Sequence, residues 1–222
     1  MTRRRMVVTI VAAMALVAGG EWARAQSAND ADEQRVGKFL EKMRGQWRDM
    51  NVPEADGKIL HDLIVKNQFK RALEIGTSTG HSGVWMASAL RKTGGKLTTL
   101  EIDERRYREA VANFKEAGVE KYIDARLGDA HVLAEQLAGP WDFVFIDADK
   151  DWYTNYAKAV IPKMAPGGCI VGHNVSRPRS DGGRSGMSGT AEYYQYMLAR
   201  SDFESYIHAE GRNGVAVSCR KK

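Results

Sequence analysis

The chain has 222 residues, 43% of them hydrophobic, with 33 Lys and Arg against 28 Asp and Glu and two cysteines. That length fits one domain with a full core and leaves little room for a second. Two cysteines exclude a disulfide-framework protein, and part of the net charge of +5 lies in the first 25 residues, so the balance does not argue for nucleic acid as a partner.

Arg3-Arg4-Arg5 precedes an apolar run from Met6 to Gly20, and Ala23-Arg24-Ala25 follows. A charged segment, an apolar segment and small residues at a cleavage point read as a secretory signal peptide over residues 1–25, which implies export to the periplasm or beyond. The run is short for a stable membrane span of ~20 residues; an uncleaved anchor is the other reading. Thr2 to Val7 also loosely fits a twin-arginine signal, weakened by the three adjacent arginines. Without residues 1–25 the balance is 29 basic against 27 acidic, a net of +2. Residues 26–32 form a polar linker, and residues 33–222 form the domain.

The first predicted element is an amphipathic helix from Glu33 to Asp49, with Val36, Phe39, Leu40, Met43 and Trp47 at helical spacing. A second helix runs from Glu54 to Lys66, after Pro53 at a first-turn position. Then strand and helix alternate: "RALEIG", a helix over 79–91, "KLTTLEI", a helix over 105–117, "YIDARLGD", a helix over 130–137, "WDFVFIDAD", a helix over 151–163, and "GCIVGHN". Such alternation means βαβ units and a Rossmann-like, doubly wound, mostly parallel sheet with helices on both faces. The Ser-, Gly- and Arg-rich stretch 175–190 reads as a surface loop. A helix over 191–200 and the strands "ESYIHAE" and "GVAVSCRK" close the chain, with a turn at Gly211–Gly214 that predicts an antiparallel last strand. Cys169 and Cys219 lie in apolar runs, which predicts buried thiols; a bridge requires neighbouring strands and an oxidising compartment.

"LEIGTSTGHS" places Glu74, Gly76 and Gly80 at the turn after the first strand of the sheet, where glycines permit a tight turn and close approach to a ligand. The spacing E-x-G-x-x-x-G departs from the dinucleotide pattern G-x-G-x-x-G. Glu101 ends the second strand, 21 residues after Gly80, where an acid can grip ribose hydroxyls. Asp129 and Asp147 end the third and fourth. Each acid taken singly can be a helix cap, Asp129 above all. Four at strand tips of one sheet repel a pyrophosphate and favour a ligand with ribose, adenine and a cationic centre. S-adenosylmethionine fits that description.

"MNVPEADGKIL", "LEIGTSTGHS", "TLEIDERRYREAVANF", "GDA", "VFIDADKDWY" and "HNV" occur in order over residues 33–220. Together they resemble the small metal-dependent O-methyltransferases, the family of catechol and caffeoyl-CoA O-methyltransferases. The resemblance implies a seven-stranded sheet with an antiparallel last strand, methyl transfer from S-adenosylmethionine to a small hydroxylated aromatic, and a homodimer. It puts Met50 and Val52 beside the methionine part of the cofactor, and Glu74, Gly76, Ser78, Gly80 and Ser82 around its amino-acid end. Glu101 then holds the ribose, Ile102 faces the adenine, and Asp129 and Ala130 border the adenine edge. The family's tryptophan before the "MNV" methionine is Arg48 here, with Trp47 displaced by one, which leaves the acceptor's wall open.

The same resemblance makes Asp147 a ligand of a divalent metal and of the cofactor region, and Lys150 the general base. A metal chelating vicinal oxygens lowers a hydroxyl pKa, and a partly desolvated lysine beside a cation accepts the proton more readily. The bland reading of Lys150 is a solvated charge at a helix start. Asp149 either caps that helix or faces the substrate. The other two implied ligands are the strand-tip pair His173 and Asn174, where the family carries an aspartate and an asparagine. Imidazole favours Mn²⁺ or another transition metal over Mg²⁺. A weak site, no metal with neutral His173 as an extra base, or a loop histidine without a role are the further readings. Two competing functions stand beside the methyltransferase: an exported, non-catalytic binding protein on the same fold, and an NAD-dependent oxidoreductase, which the glycine spacing and the acids disfavour.

Overall fold

The computed structural model describes residues 30–175 and 189–222. The signal-peptide reading and most of the 26–32 linker therefore lie outside the described residues, as does most of the 175–190 loop. Among the described residues no helix is long and apolar enough to cross a membrane.

Helix α1 covers residues 30–43 and α2 covers Glu54–Asn67. Alternation then gives β1 (Arg71–Ile75), α3 (His81–Thr93), β2 (Lys96–Glu101), α4 (Glu104–Ala117), β3 (Ile123–Leu127), α5 (Ala130–Gln136), β4 (Trp141–Ile146), α6 (Tyr153–Val160) and β5 (Met164–Gly172). Helix α7 (Gly189–Leu198) and strands β6 (Phe203–Ile207) and β7 (Ala216–Arg220) follow. The seven strands form one sheet in the order β3-β2-β1-β4-β5-β7-β6. Pairs β1–β2, β1–β4, β2–β3 and β4–β5 are parallel, and β7 runs antiparallel to both β5 and β6. The predicted doubly wound sheet with its antiparallel last strand is the observed one.

Two-residue alternation divides the strand side chains between two cores. Ala72, Phe143, Phe145, Cys169, Val171 and Val217 face the layer of α1, α2, α3 and α4, whereas Leu73, Ile75, Val144, Ile146, Ile170 and Ala216 face α6 and α7. All twelve are 1% exposed or less. Each large one contributes about 1.5–3 kcal/mol by leaving water.

Several boundaries move for local reasons. Helix α1 is already helical at residue 30, the first described, so residues 30–32 of the linker are helix, and it stops at 43, because Gly45 adopts φ +71° and turns the chain. Trp47 then leaves the predicted helix and stacks on His81, with ring centroids 4.4 Å apart. Helix α3 begins at His81, after the left-handed Gly80. The predicted helix over 151–163 becomes α6 flanked by single 3₁₀ turns, the second with Pro162 in its first turn, where no amide hydrogen is available to continue an α-helical ladder.

The expectation of two free core thiols is corrected. Cys169 on β5 lies directly opposite Cys219 on β7, with Cα atoms 4.0 Å apart, and the two form a disulfide. Both are in apolar runs as expected; the register of two non-consecutive strands is what makes them partners.

Candidate active site

Strand order reverses between β1 and β4, and open α/β sheets bind ligands outside the carboxyl ends of strands at such a switch point. Gly76 is the hinge there. Its φ is +99°, and a Cβ on it would lie 2.5 Å from the Asp147 carbonyl oxygen, so only glycine lets the β1 turn pass this close to the β4 tip. The amides of Gly76 and Thr77 both donate to the Leu100 carbonyl at 3.1 Å, which binds the turn to β2 as well.

A cavity of about 770 Å³ opens at this point, and Met50, Gly76, Ser78, Glu101, Ile102, Asp129, Ala130, Asp147, Lys150, His173 and Asn174 all line it. Eleven side chains or backbone groups singled out in the sequence thus meet in one place. Glu101 is 5% exposed, and its carboxylate accepts from the Ser78 amide at 2.7 Å and the Asp103 amide at 2.9 Å. Those bonds fix its orientation and leave further lone pairs for a ligand. Met50 and Ile102 are each 69% exposed, an apolar wall that a bound ligand would cover. Ser78 Oγ is buried without a partner. Asp129 caps α5 through the His131 amide at 2.9 Å while also bordering the cavity, so the cap and the site readings describe the same residue.

Val52, Glu74, Gly80 and Ser82 stand behind this wall, not on it. Glu74 is fully buried, accepts from Ser82 Oγ and Thr99 Oγ1 at 2.5 Å each, and burial pushes its carboxyl up to about 8, against the pull of those hydroxyls. Gly80 caps α3, and a Cβ there would meet the Phe114 ring at 2.7 Å. The Val52 carbonyl holds His81 Nδ1 at 2.8 Å.

At the other end of the cavity four charged groups form a row. Lys150 Nζ donates to Asp147 Oδ1 at 2.6 Å and to the Tyr153 hydroxyl at 2.9 Å. Asp147 Oδ2 faces His173 Nδ1 at 3.1 Å, and His173 Nε2 faces Asp56 Oδ2 at 2.9 Å. Asp56 comes from the first turn of α2 and is 1% exposed; it also accepts from the Arg212 amide at 2.7 Å and the Asn213 amide at 3.2 Å. Burial pushes Asp56 up, but His173 and the two amides more than offset this and hold it below the usual carboxylate range. Burial alone would lower His173; the carboxylates of Asp147 and Asp56 outweigh it and raise the imidazole to about 9.

Asp147, His173 and Asn174, the implied metal ligands, do come together, yet their donors do not fit a divalent cation as arranged. Asp147 is the one anionic ligand, and both its oxygens are engaged by cations. A neutral imidazole would aim a lone pair at one of two carboxylates; with a proton on each nitrogen both contacts are attractive, and no lone pair is left for a metal. Among the described residues no group of three or more His, Cys, Asp or Glu has the arrangement of a metal site.

Sequence reasoning missed Asp56, His131 and Tyr156. Tyr156 donates to Asp149 Oδ1 at 2.6 Å and His131 Nε2 lies 3.1 Å from Asp149 Oδ2, so Asp149 faces the cavity side and makes no side-chain cap. The His131 ring lies 4.3 Å from that of Trp152. A histidine at the second position of the helix after the third strand was the available signal. Arg48 is exposed, and Trp47, packed on His81, is no part of the cavity wall.

Comparison with known proteins agrees with this geometry. Residues 27–177 match the model of the O-methyltransferase family. A catechol O-methyltransferase from Niastella koreensis is 41% identical over 132 residues, 58% of this chain and 59% of the relative. A caffeoyl-CoA O-methyltransferase from Eucalyptus globulus is 36% identical over 129 residues, 56% of this chain and 52% of the relative. The chain thus spans between half and three-fifths of the length of these curated relatives. Among solved structures, the Bacillus cereus O-methyltransferase in complex with SAH superposes with a TM-score of 0.70 at 26% identity, over 85% of this chain and 91% of that one. The O-methyltransferase of tomaymycin synthesis from Streptomyces achromogenes, in complex with SAM, gives 0.67 at 27%, over 85% and 90%. The chain belongs to the O-methyltransferase family.

Proposed function

We propose that this protein is an S-adenosylmethionine-dependent O-methyltransferase whose acceptor is a small hydroxylated aromatic of catechol type. The observation that carries the reading is one cavity joining two halves: Glu101, Met50 and Ile102 on one side, and Lys150 against Asp147 on the other. The fixed carboxylate suits ribose hydroxyls, and the apolar wall suits a purine. Relatives named for catechol and caffeoyl-CoA support the aromatic acceptor, as does the tilted ring pair of His131 and Trp152 beside the cavity.

S-adenosylmethionine supplies, when bound, a methyl group on a cationic sulfur that departs as a neutral thioether once an oxygen has taken the methyl. Lys150 Nζ, an ammonium in the resting pair with Asp147, first releases its proton to solvent. As free amine it then accepts the proton of the acceptor's hydroxyl, whose O–H bond breaks while the oxygen keeps the electron pair for its new bond to carbon. Asp147 and Tyr153 then stabilise the resulting ammonium through the contacts seen here. Holding the two reactants in line is the main catalytic effect. With both Asp147 oxygens engaged by Lys150 and His173, this transfer takes place on the chain's own residues.

The reading includes export. The leader over residues 1–25 and the Cys169–Cys219 bridge support a protein that works in an oxidising compartment.

Calorimetric titration of the purified protein with S-adenosylmethionine, with NAD as control, tests the cofactor; methyl transfer to catechol tests the acceptor. Saturable binding of the first alone, with methylated catechol as product, is the expected result. A folded sample that binds neither sinks the enzyme reading.

A further inference from the structure

We propose that His173, locked between Asp56 and Asp147, itself supplies the positive charge that the resemblance assigns to a divalent metal, so that methyl transfer by this protein needs no metal ion. The proposal rests on the methyltransferase reading above.

Three observations carry it. Both ring nitrogens of His173 face carboxylate oxygens, at 2.9 and 3.1 Å, and the side chain is 3% exposed. Asp56 cannot turn away from the ring, since the Arg212 and Asn213 amides of the β6–β7 hairpin hold its other lone pairs. Finally, the row Asp56, His173, Asp147, Lys150 alternates in sign and is neutral as a whole.

A metal and a proton compete for His173 Nδ1. Replacing that proton by a dication leaves the row with one uncompensated positive charge in a place with little water, and Lys150 already sits 2.6 Å from Asp147, the carboxylate among the three implied ligands. An aspartate at 173 would instead bring the row to two negative charges, matched to a dication. The chain's own cation lies at the Asp147 end of the cavity, where an acceptor oxygen gains negative charge as it gives up its proton, and fixed charge at that point stabilises the developing anion.

The test is manganese binding, read by the loss of the free-ion paramagnetic resonance signal, in the wild type, His173→Asp and the double variant Asp56→Asn/His173→Asp. The double variant removes the carboxylate that a new aspartate would face, in case the single one fails to fold. Titration of S-adenosylmethionine into the same samples reports separately on the cofactor site, and wild-type turnover is followed with and without a chelator. Expected are no saturable manganese binding by the wild type, chelator-insensitive turnover, and roughly tenfold or greater tightening of manganese in a folded variant. Saturable manganese binding by the wild type, turnover abolished by the chelator, or no gain in either folded variant overturns the proposal. Loss of cofactor binding in the wild type would instead count against the methyltransferase reading.

Discussion

Asp56 and His173 are 117 residues apart in sequence and form a buried ion pair, Oδ2 to Nε2 at 2.9 Å. The pair ties the first turn of α2 to the tip of β5, and two amides of the β6–β7 hairpin join it. Removing one partner leaves the other charge buried without compensation, which costs about 3–5 kcal/mol. Asp56→Asn and His173→Gln should each destabilise the protein on that scale in urea unfolding, and the double variant should cost clearly less than their sum. Additive costs would show that the two groups do not interact in solution.

Lys150 is placed to take a proton, and its replacement separates that role from simple charge. Lys150→Met should lower kcat by about 10²–10⁴-fold with little change in S-adenosylmethionine affinity. Lys150→Arg keeps the positive charge but cannot give up its proton at ordinary pH, so it should be nearly as slow. An active arginine variant would mean that Lys150 acts by charge alone.

The strands and the acids at their tips were legible because strand-length segments, apolar or alternating, lead up to Glu101, Asp129, Asp147 and His173, and a parallel sheet brings all such ends to one edge. Asp56 was not legible as a site residue. In sequence it is one more acid in the first turn of a helix, the ordinary place for one, and only the return of β5 and of the hairpin 208–215 brings it against His173. The disulfide escaped for a related reason: β7 inserts between β5 and β6, so the pairing of Cys169 with Cys219 depends on a register between strands that are not consecutive. Glu74, by contrast, stood in the glycine motif, but strand alternation turns it into the α3 and α4 layer, where Ser82 and Thr99 hold it.

That placement gives Glu74 a pH signature. The unfolded chain ionises it near its ordinary 4.5, whereas the fold, by burying it, keeps the proton up to about 8. Between these values the native state binds more protons than the unfolded one, so this group's contribution to stability falls as pH rises from about 4.5 to about 8 and is level beyond. Glu74→Gln is neutral at every pH and should flatten that decline, by up to about 1.4 kcal/mol per pH unit. Urea unfolding of both proteins at pH 5, 6.5 and 8 measures it. Parallel pH profiles would mean that Glu74 is ionised in the native protein.

The bridge between Cys169 and Cys219 closes a loop of 50 residues, from β5 through α7 and β6 to β7. Chain-entropy reasoning assigns such a closure about 4 kcal/mol, through restriction of the unfolded chain. The double variant Cys169→Ala/Cys219→Ala should therefore melt about 10 °C lower. A reductant should shift the wild type in the same direction and leave the variant unmoved. The site should be spared at 25 °C. His173 lies four residues beyond Cys169, but the β4–β5 ladder, from Phe143 opposite Cys169 to Ile146 opposite Gly172, holds this end of β5 on its other side. Cofactor affinity should then be the same in both proteins well below their melting points. A weakened affinity in the folded variant would mean that β7, through the bridge, also sets the position of the β5 tip.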